Sequence, residues 1–236
     1  NVIRFSVSPY NGVSALIRSG SNGTTYIIDP ISMDYKTVIV FDRVHSKKES
    51  GFTCTTEEAV QQFGPSLDKL AGGNEILNNA DDGKLRVFQM AQSCTGEYAN
   101  YFGASTAGTA ADEALVLAAF NATYTRCNGI FENDFNATMQ LIANTTSVIY
   151  YNAATDPYSD AAQMGNWNTQ LGNTLQSVIG NANYDIGHLF GATGGGGNAG
   201  CIGCVCSADN SKGRGITSPA DGIPMGDNFD VDYVAH

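Results

Sequence analysis

The sequence has few charged residues and no long apolar segment. Asp, Glu, Lys and Arg make up 15% of its 236 residues, which excludes a coiled coil and a polyelectrolyte tail, because both need a far higher charge content. No apolar run approaches the roughly 20 residues that span a bilayer, so we expect no transmembrane helix. The N-terminus lacks the basic and then apolar layout of a signal peptide, and we expect any export signal to have been removed.

Basic residues are scarce as well. Twelve Lys and Arg stand against 23 Asp and Glu, which gives a formal net charge of -11. This charge would repel a phosphate backbone or an anionic lipid surface, so we expect neither a nucleic acid nor a membrane as a partner. The sequence does contain 42% hydrophobic residues, which is enough for a packed core in one large domain or two small ones.

The chain has six cysteines, which favour an oxidising compartment, and we therefore expect a secreted protein. Cys201, Cys204 and Cys206 stand close together, where thiolates could share one soft metal ion or form disulfides. Disulfides are favoured because no second Cys or His cluster follows to complete a tetrahedral site. Cys94 and Cys127 could bridge a strand to a helix or remain buried thiols.

A polar, glycine-rich stretch around residues 71–84 divides the sequence into two parts. Residues 1–83 contain short apolar or alternating runs, such as Tyr26–Pro30 and Tyr35–Phe41, and this pattern predicts a small β-rich segment. In residues 84–236, runs of strand length alternate with helix-period patterns. That alternation predicts an α/β fold with a parallel sheet covered by helices.

The second part contains four predicted strand regions and three predicted helices. The strands are expected at residues 85–91, at 139–143 with 148–151, at 184–190 and at 199–206. Apolar and small residues at spacings of three and four predict a helix over roughly 110–131 and another from Met164 to Val178. An acidic first turn predicts the start of a third helix at Asp227.

A series of motifs follows in a fixed order through residues 85–236. The main ones are Asn183-Tyr-Asp-Ile-Gly-His-Leu-Phe-Gly191, the glycine-rich stretch 194–203, Cys206 and Val231-Asp-Tyr-Val-Ala-His236, supported by 91–98, 127–132, 139–144 and 154–158. In this order they resemble the reprolysin-like metzincins, a family of zinc metallopeptidases, and in particular their bacterial secreted branch. The resemblance implies a twisted, mostly parallel sheet with one antiparallel edge strand and covering helices, preceded by a pro-region.

The resemblance also implies the metal chemistry. His236 would be the first zinc ligand of a His-Glu-x-x-His-x-x-Gly-x-x-His signature, in which two histidines share one helix face and a third completes the site. The Glu that acts as general base and the other two ligands would follow His236. We therefore expect no catalytic residue within the sequence, which would be a truncated and inactive part of a zinc-dependent endopeptidase.

Two further assignments come from the resemblance. The antiparallel edge strand that pairs with peptide or protein substrates would consist of Ala199, Gly200, Cys201, Ile202 and Gly203. Residues 1–83 would be a pro-region that binds the rest of the chain, and its Cys54 thiolate would cap the zinc. A buried structural thiol is the alternative for Cys54. In the family the counterpart of Cys206 pairs with a cysteine beyond the zinc helix.

Two interpretations from other functional classes stay open. In one, residues 1–236 form a noncatalytic secreted module for binding or inhibition on the same fold, and in the other they form an α/β binding domain without a metal. His188 is predicted to be a hydrogen-bonded structural histidine, and His45 to lie in a solvated loop. Gly194–Gly197 lacks the Lys and Ser/Thr of a phosphate-binding loop, so we expect a hairpin approach there.

Overall fold

The computed structural model describes residues 2–32, 34–46, 51–55 and 82–235. The predicted boundary at 71–84 falls largely outside these ranges. The described residues form two β-sheets, and the second sheet is covered by helices. Within this part of the chain no helix combines the length and the apolar character needed to cross a membrane.

The first sheet, which we call the N-terminal sheet, is a four-stranded antiparallel meander. Its strands are β1 (Val2–Ser8), β2 (Gly12–Arg18), β3 (Thr25–Pro30) and β4 (Val38–Asp42). Each strand pairs with the next along the chain, as short turns between strands require. The two apolar runs that predicted strands coincide with β3 and with most of β4.

The second sheet is mostly parallel. Its strands are β5 (Thr53–Cys54), β6 (Arg86–Cys94), β7 (Ala137–Leu141), β8 (Ile186–Phe190), β9 (Gly196–Asn198) and β10 (Gly215–Ser218), in the spatial order β5-β9-β10-β8-β6-β7. Strand β9 is antiparallel to β10, whereas β5 is parallel to β9. The predicted α/β architecture with one antiparallel strand is therefore present, and β5 covers the outer edge of that strand.

Helices α1 (Gly96–Tyr101) and α2 (Ala110–Phe135) pack on one side of this sheet and α3 (Trp167–Val178) on the other. Helix α2 begins with a capping box, in which Thr109 accepts from the backbone N–H of Asp112 and the Asp112 carboxylate accepts from that of Thr109. The helix ends at Asn136, which is left-handed. The residues that predicted its buried face are all buried, namely Val116, Ala119, Phe120, Thr123, Tyr124 and Cys127.

Two hydrophobic clusters fill the space between the sheet and the helices. Phe190 and Leu189 are neighbours in β8 and belong to different clusters, because successive strand residues point to opposite faces. The Phe190 cluster packs α1 and α2 and extends to a π-helix at Asn228–Val234, and the Leu189 cluster packs α3. The helix predicted to start at Asp227 is therefore present, with π rather than α geometry.

The strand predicted at 199–206 is wrong. Cys201 and Cys204 form a disulfide across a tight turn, and Gly200, Gly203 and Cys206 have positive φ angles that an extended strand does not allow. The antiparallel strand is β9, in the glycine run just before this turn. Its partner β10 lies in a stretch for which we predicted no strand.

The strand expected at 148–151 is also absent. Val148 ends a 3₁₀ helix, and Ile149 makes a single bridge to Cys94. The hydroxyl of Thr145 takes the place of a ladder residue, since it accepts from the N–H of Gln92 and donates to its carbonyl, both at 2.9 Å. The Thr145 side chain thus satisfies the backbone N–H and carbonyl of Gln92, which a neighbouring strand would otherwise have paired.

Candidate active site

A cavity of about 460 Å³ lies between the second sheet and the helices on the α2 side. Its wall is predominantly apolar, as is usual for pockets that bind small ligands or side chains. The wall residues come from strands β5 to β10, the segment between β9 and β10, helix α2 and the end of the π-helix. They include Cys54, Met90, Tyr124, Ile186, His188, Gly197 and Tyr233.

The π-helix forms the side of the cavity that leads to His236. Phe229 and Asp230 are buried, and the N–H of Ala235 donates to the carbonyl of Asp230, five residues earlier. Such wide turns are rare and recur at functional sites. Their geometry persists here because neighbouring elements hold the helix from several sides.

His236, the predicted first zinc ligand, lies outside the described residues. In the described ranges 2–32, 34–46, 51–55 and 82–235, no group of three or more His, Cys, Asp and Glu side chains could hold a metal ion. These residues alone therefore do not fit a zinc site, and the ligand role of His236 stays a prediction. The π-helix that precedes it lines the cavity together with β9.

Arg43, which follows β4, binds two carboxylates at the π-helix. Its Nε donates to Asp227 at 3.0 Å and its Nη2 donates to Asp232. Burial raises the pKa of Asp227, while the charge of Arg43 opposes this shift. The N-terminal sheet is thereby tied to the helix that leads to His236.

A second arginine, Arg126 of α2, is 1% exposed and lies between two more carboxylates. It donates to Asp230 at 2.5 Å from Nη1, and to Asp29 of β3 from Nη2. Burial raises the pKa of Asp230 to about 6, opposed by Arg126 and by the hydroxyl of Thr123, which donates at 2.7 Å. This network joins the N-terminal sheet, α2 and the π-helix in one buried contact.

Sequence reasoning missed this network, although one signal for it exists. Arg126 lies next to Cys127 and three residues after Thr123, on the stripe that predicted the buried face of α2. An arginine on a buried face needs a buried acidic partner, because an unpaired charge is strongly disfavoured there. The acidic residues after position 226 were instead explained by the helix dipole.

Residues 51–55 form an extended segment along the outer edge of β9. The N–H of Thr53 donates to the carbonyl of Gly195, and that of Thr55 to Gly197, both at 2.9 Å. The amide of Asn198 donates to the Thr55 hydroxyl at 3.0 Å. The edge at which we expected a substrate therefore carries a segment of the same chain.

The edge-strand residues proposed from the sequence need correction. Ala199 and Gly200 follow β9, and Cys201, Ile202 and Gly203 belong to the disulfide turn, so none of the five lies in a strand. The strand is Gly196–Asn198, where glycines allow close approach and leave no side-chain pattern to detect. Ala199, Cys201 and Ile202 line the cavity instead.

Two side chains of the 51–55 segment face the cavity. The ring of Phe52 stacks on Tyr233 with 4.1 Å between centroids and 8° between planes. Cys54 is paired opposite Gly197 and also lines the cavity. Because Cys54 is exposed, its interpretation as a buried structural thiol is wrong. Phe52 was not singled out from the sequence, since a lone aromatic residue carries no signal there.

The other residues considered from the sequence have structural roles. His188 in β8 is hydrogen-bonded to Thr217 at 2.8 Å, and burial lowers its pKa to about 4, so the ring is neutral at neutral pH. The Cys201–Cys204 disulfide decides between the two alternatives for that cluster. Cys94 and Cys127 are buried thiols and not a bridge.

Comparison with known families gives one match. The model of the family described as Metallo-peptidase family M12B Reprolysin-like matches residues 84–236, which is 153 of the 236 residues. No curated protein and no solved structure gives a significant match to the chain.

Proposed function

Because the chain belongs to the reprolysin-like metallopeptidases of family M12B, we propose that the protein functions in zinc-dependent hydrolysis of peptide bonds in proteins or peptides. The family match over residues 84–236 is the observation that carries this proposal. Zinc would be held by His236 together with the residues that complete the family signature after it. The chemistry that zinc supplies in such enzymes is activation of a water molecule for attack on a peptide carbonyl.

The surroundings of β9 support a peptide as the substrate. A strand edge offers backbone N–H and C=O groups that hold an extended chain with little regard to its sequence. Segment 51–55 uses such bonds at Gly195 and Gly197. We propose that β9, rather than residues 199–203, holds the substrate backbone.

We further propose that the contacts from the N-terminal part are inhibitory. Cys54 lines the cavity beside β9, where its thiolate would add a sulfur ligand to zinc and block the reaction. Residues 1–83 would then act as a pro-region for the rest of the chain. We also propose secretion, which the Cys201–Cys204 disulfide supports because such bonds persist in oxidising compartments.

The test uses the protein in a form that contains the complete signature. Unaltered protein should bind about one zinc per chain and cleave an unfolded protein substrate, and chelation should abolish cleavage. His236→Ala should lose both zinc and cleavage, whereas His45→Ala, at an exposed position after β4, should keep both. Cleavage that survives chelation and His236→Ala would contradict the proposal, and peptide binding without cleavage would favour the noncatalytic alternative.

The inhibitory role of Cys54 has its own test. Cys54→Ala should raise the basal proteolysis of the latent protein several-fold, because one sulfur ligand would be lost. Thr53→Ala is the matched control, since it shortens an exposed side chain of β5 and keeps the N–H that donates to Gly195. Equal basal activity in Cys54→Ala and unaltered protein would rule out this role.

A further inference from the structure

The groove beside β9 has a feature that backbone pairing alone does not explain. The Phe52 ring enters the cavity and lies against Tyr233 on one side. The ring edge also lies against Gly197, where an added Cβ would stand 2.7 Å from the carbonyl oxygen of Ile216 and 2.9 Å from Cζ of Phe52. A side chain at Gly197 would therefore meet both the backbone of β10 and the Phe52 ring.

The remaining contacts hold the part of the segment that follows this ring. Thr53 and Thr55 give their N–H groups to β9, and Asn198 binds the Thr55 hydroxyl. Main-chain hydrogen bonds that hold an extended segment, combined with a pocket for one side chain, are the arrangement by which strand edges recognise peptides. Residues 51–55 make both kinds of contact, with main-chain hydrogen bonds to β9 and the Phe52 ring in a pocket.

We propose that the groove formed by β9 and the π-helix is a binding site for extended peptides that carry an aromatic side chain, and that residues 51–55 occupy it in cis. Tyr233 and Gly197 form the aromatic subsite, and Phe52 is the side chain that fills it. The inference deepens the proposed function and rests on it for the view that peptides are what the groove receives.

The aromatic selectivity follows from the subsite's shape and chemistry. A parallel ring contact with Tyr233 is available to Phe or Tyr, but an aliphatic side chain cannot make it. Burial of a ring and its stacking should strengthen binding about 10- to 100-fold over a methyl group. As part of the same chain, the segment is present at an effective concentration in the millimolar range, so a free peptide must compete with it.

The first experiment empties the groove and offers a peptide in solution. Phe52→Ala combined with Thr53→Pro removes the ring and one N–H donor from an exposed strand, and circular dichroism checks the fold. The probe is Gly-Phe-Thr-Ser-Thr, in which Ser replaces the cysteine so that no thiol or metal chemistry contributes. NMR titration should give binding at least about 10-fold tighter than to unaltered protein, whose groove is filled.

Matched peptides test the subsite. Gly-Tyr-Thr-Ser-Thr should bind like the Phe peptide, and Gly-Ala-Thr-Ser-Thr about 10- to 100-fold more weakly. Tyr233→Leu in the emptied protein should remove most of this preference. Equal affinity for the Phe and Ala peptides, or no binding of either, would overturn the inference. No step uses zinc or cleavage, so this failure differs from loss of zinc-dependent proteolysis, which would refute the proposed function alone.

If the variant with both Phe52→Ala and Thr53→Pro does not fold, a second measurement tests the aromatic subsite. Hydrogen exchange at the amides of Thr53 and Thr55 reports on segment 51–55 in the otherwise unaltered chain. Phe52→Tyr, which keeps the ring, should leave exchange unchanged, whereas Phe52→Leu should speed it about 10-fold. The same exchange rate in both variants would show that no aromatic subsite holds the segment.

Discussion

The two sheets of this protein bury their side chains in different ways. The second sheet has helices on both faces, and residues such as Phe120 and Phe190 are completely buried against it. Among the residues that the structure describes, the N-terminal sheet has a helix on one face only, so Leu16 is buried there while Phe5 on the opposite face is 64% exposed. One sheet therefore forms part of a two-sided core, and the other is a single layer laid on α2.

This difference shows what holds the N-terminal sheet in place. A single antiparallel layer gains little stability by itself, so it depends on the elements it covers. Gly129 of α2 makes room for Arg4 and Leu16, and Arg4 also pairs with Glu132. The Arg126 network then adds a buried polar contact between the sheet, α2 and the π-helix.

The largest effect should distinguish the two sheets directly. Phe120→Ala removes a ring from the two-sided core and should lower the free energy of unfolding by about 3–5 kcal/mol. Phe5→Ala makes the same change on the exposed face and should stay within about 0.5 kcal/mol. Urea unfolding measures both, and similar losses would mean that the outer face of the N-terminal sheet is covered in solution.

The next prediction concerns the Arg126 network, which joins the N-terminal sheet to α2 and the π-helix. Arg126→Met leaves Asp29 and Asp230 without their shared partner and should lower the free energy of unfolding by about 3 kcal/mol. The loss is at the low end for a buried pair because Asp230, with a pKa already near 6, can take up a proton. Arg86→Met, which breaks the exposed pair with Asp82, serves as the control.

The control variant should leave the urea midpoint nearly unchanged, since exposed ion pairs contribute little. If Arg126→Met were as mild as the control, the Arg126 network would contribute little to holding the N-terminal sheet on α2 and the π-helix. Hydrogen exchange in β3 offers a second readout, because loss of the Asp29 pair should speed exchange there before global unfolding.

Side-chain periodicity explains why part of the fold could be predicted. Helix α2 was predicted because six buried residues recur at helical spacing, and β8 because apolar residues fill it. Strand β9 was missed because Gly196 and Gly197 have no side chains, so only backbone pairing to β10 and β5 defines them. A strand built from glycine leaves no hydrophobic pattern in the sequence.

The same distinction between local patterns and contacts of distant residues applies to the candidate site. The sequence predicted roles for His236 and Cys54 from local motifs; Cys54 lines the cavity, and the role of His236 stays a prediction. Phe52 and Tyr233 were not paired, because their stacking joins residues far apart in the chain and depends on where β5 and the π-helix lie. Local patterns indicate which elements form, whereas such contacts follow from how the elements assemble.

The last prediction concerns how stability depends on pH, to which a group in the second sheet and a group in the Arg126 network contribute with opposite sign. His188 inside the second sheet has a pKa lowered to about 4, so the unfolded chain binds more protons below its ordinary pKa near 6.5, and stability falls with falling pH. Asp230 of the π-helix, in the network that holds the N-terminal sheet, has a pKa raised to about 6 from an ordinary 3.8, so the folded chain binds more protons and stability rises with falling pH.

The two opposite slopes share the window between about pH 4 and 6 and should largely cancel in the unaltered protein. His188→Gln removes the first slope, so from pH 7 to 4.5 this variant should gain about 2 kcal/mol relative to unaltered protein. Asp230→Asn removes the second slope and should lose a similar amount over the same range. Urea unfolding at the two pH values measures both, and changes of the same sign would mean that one of these groups does not titrate as its burial requires.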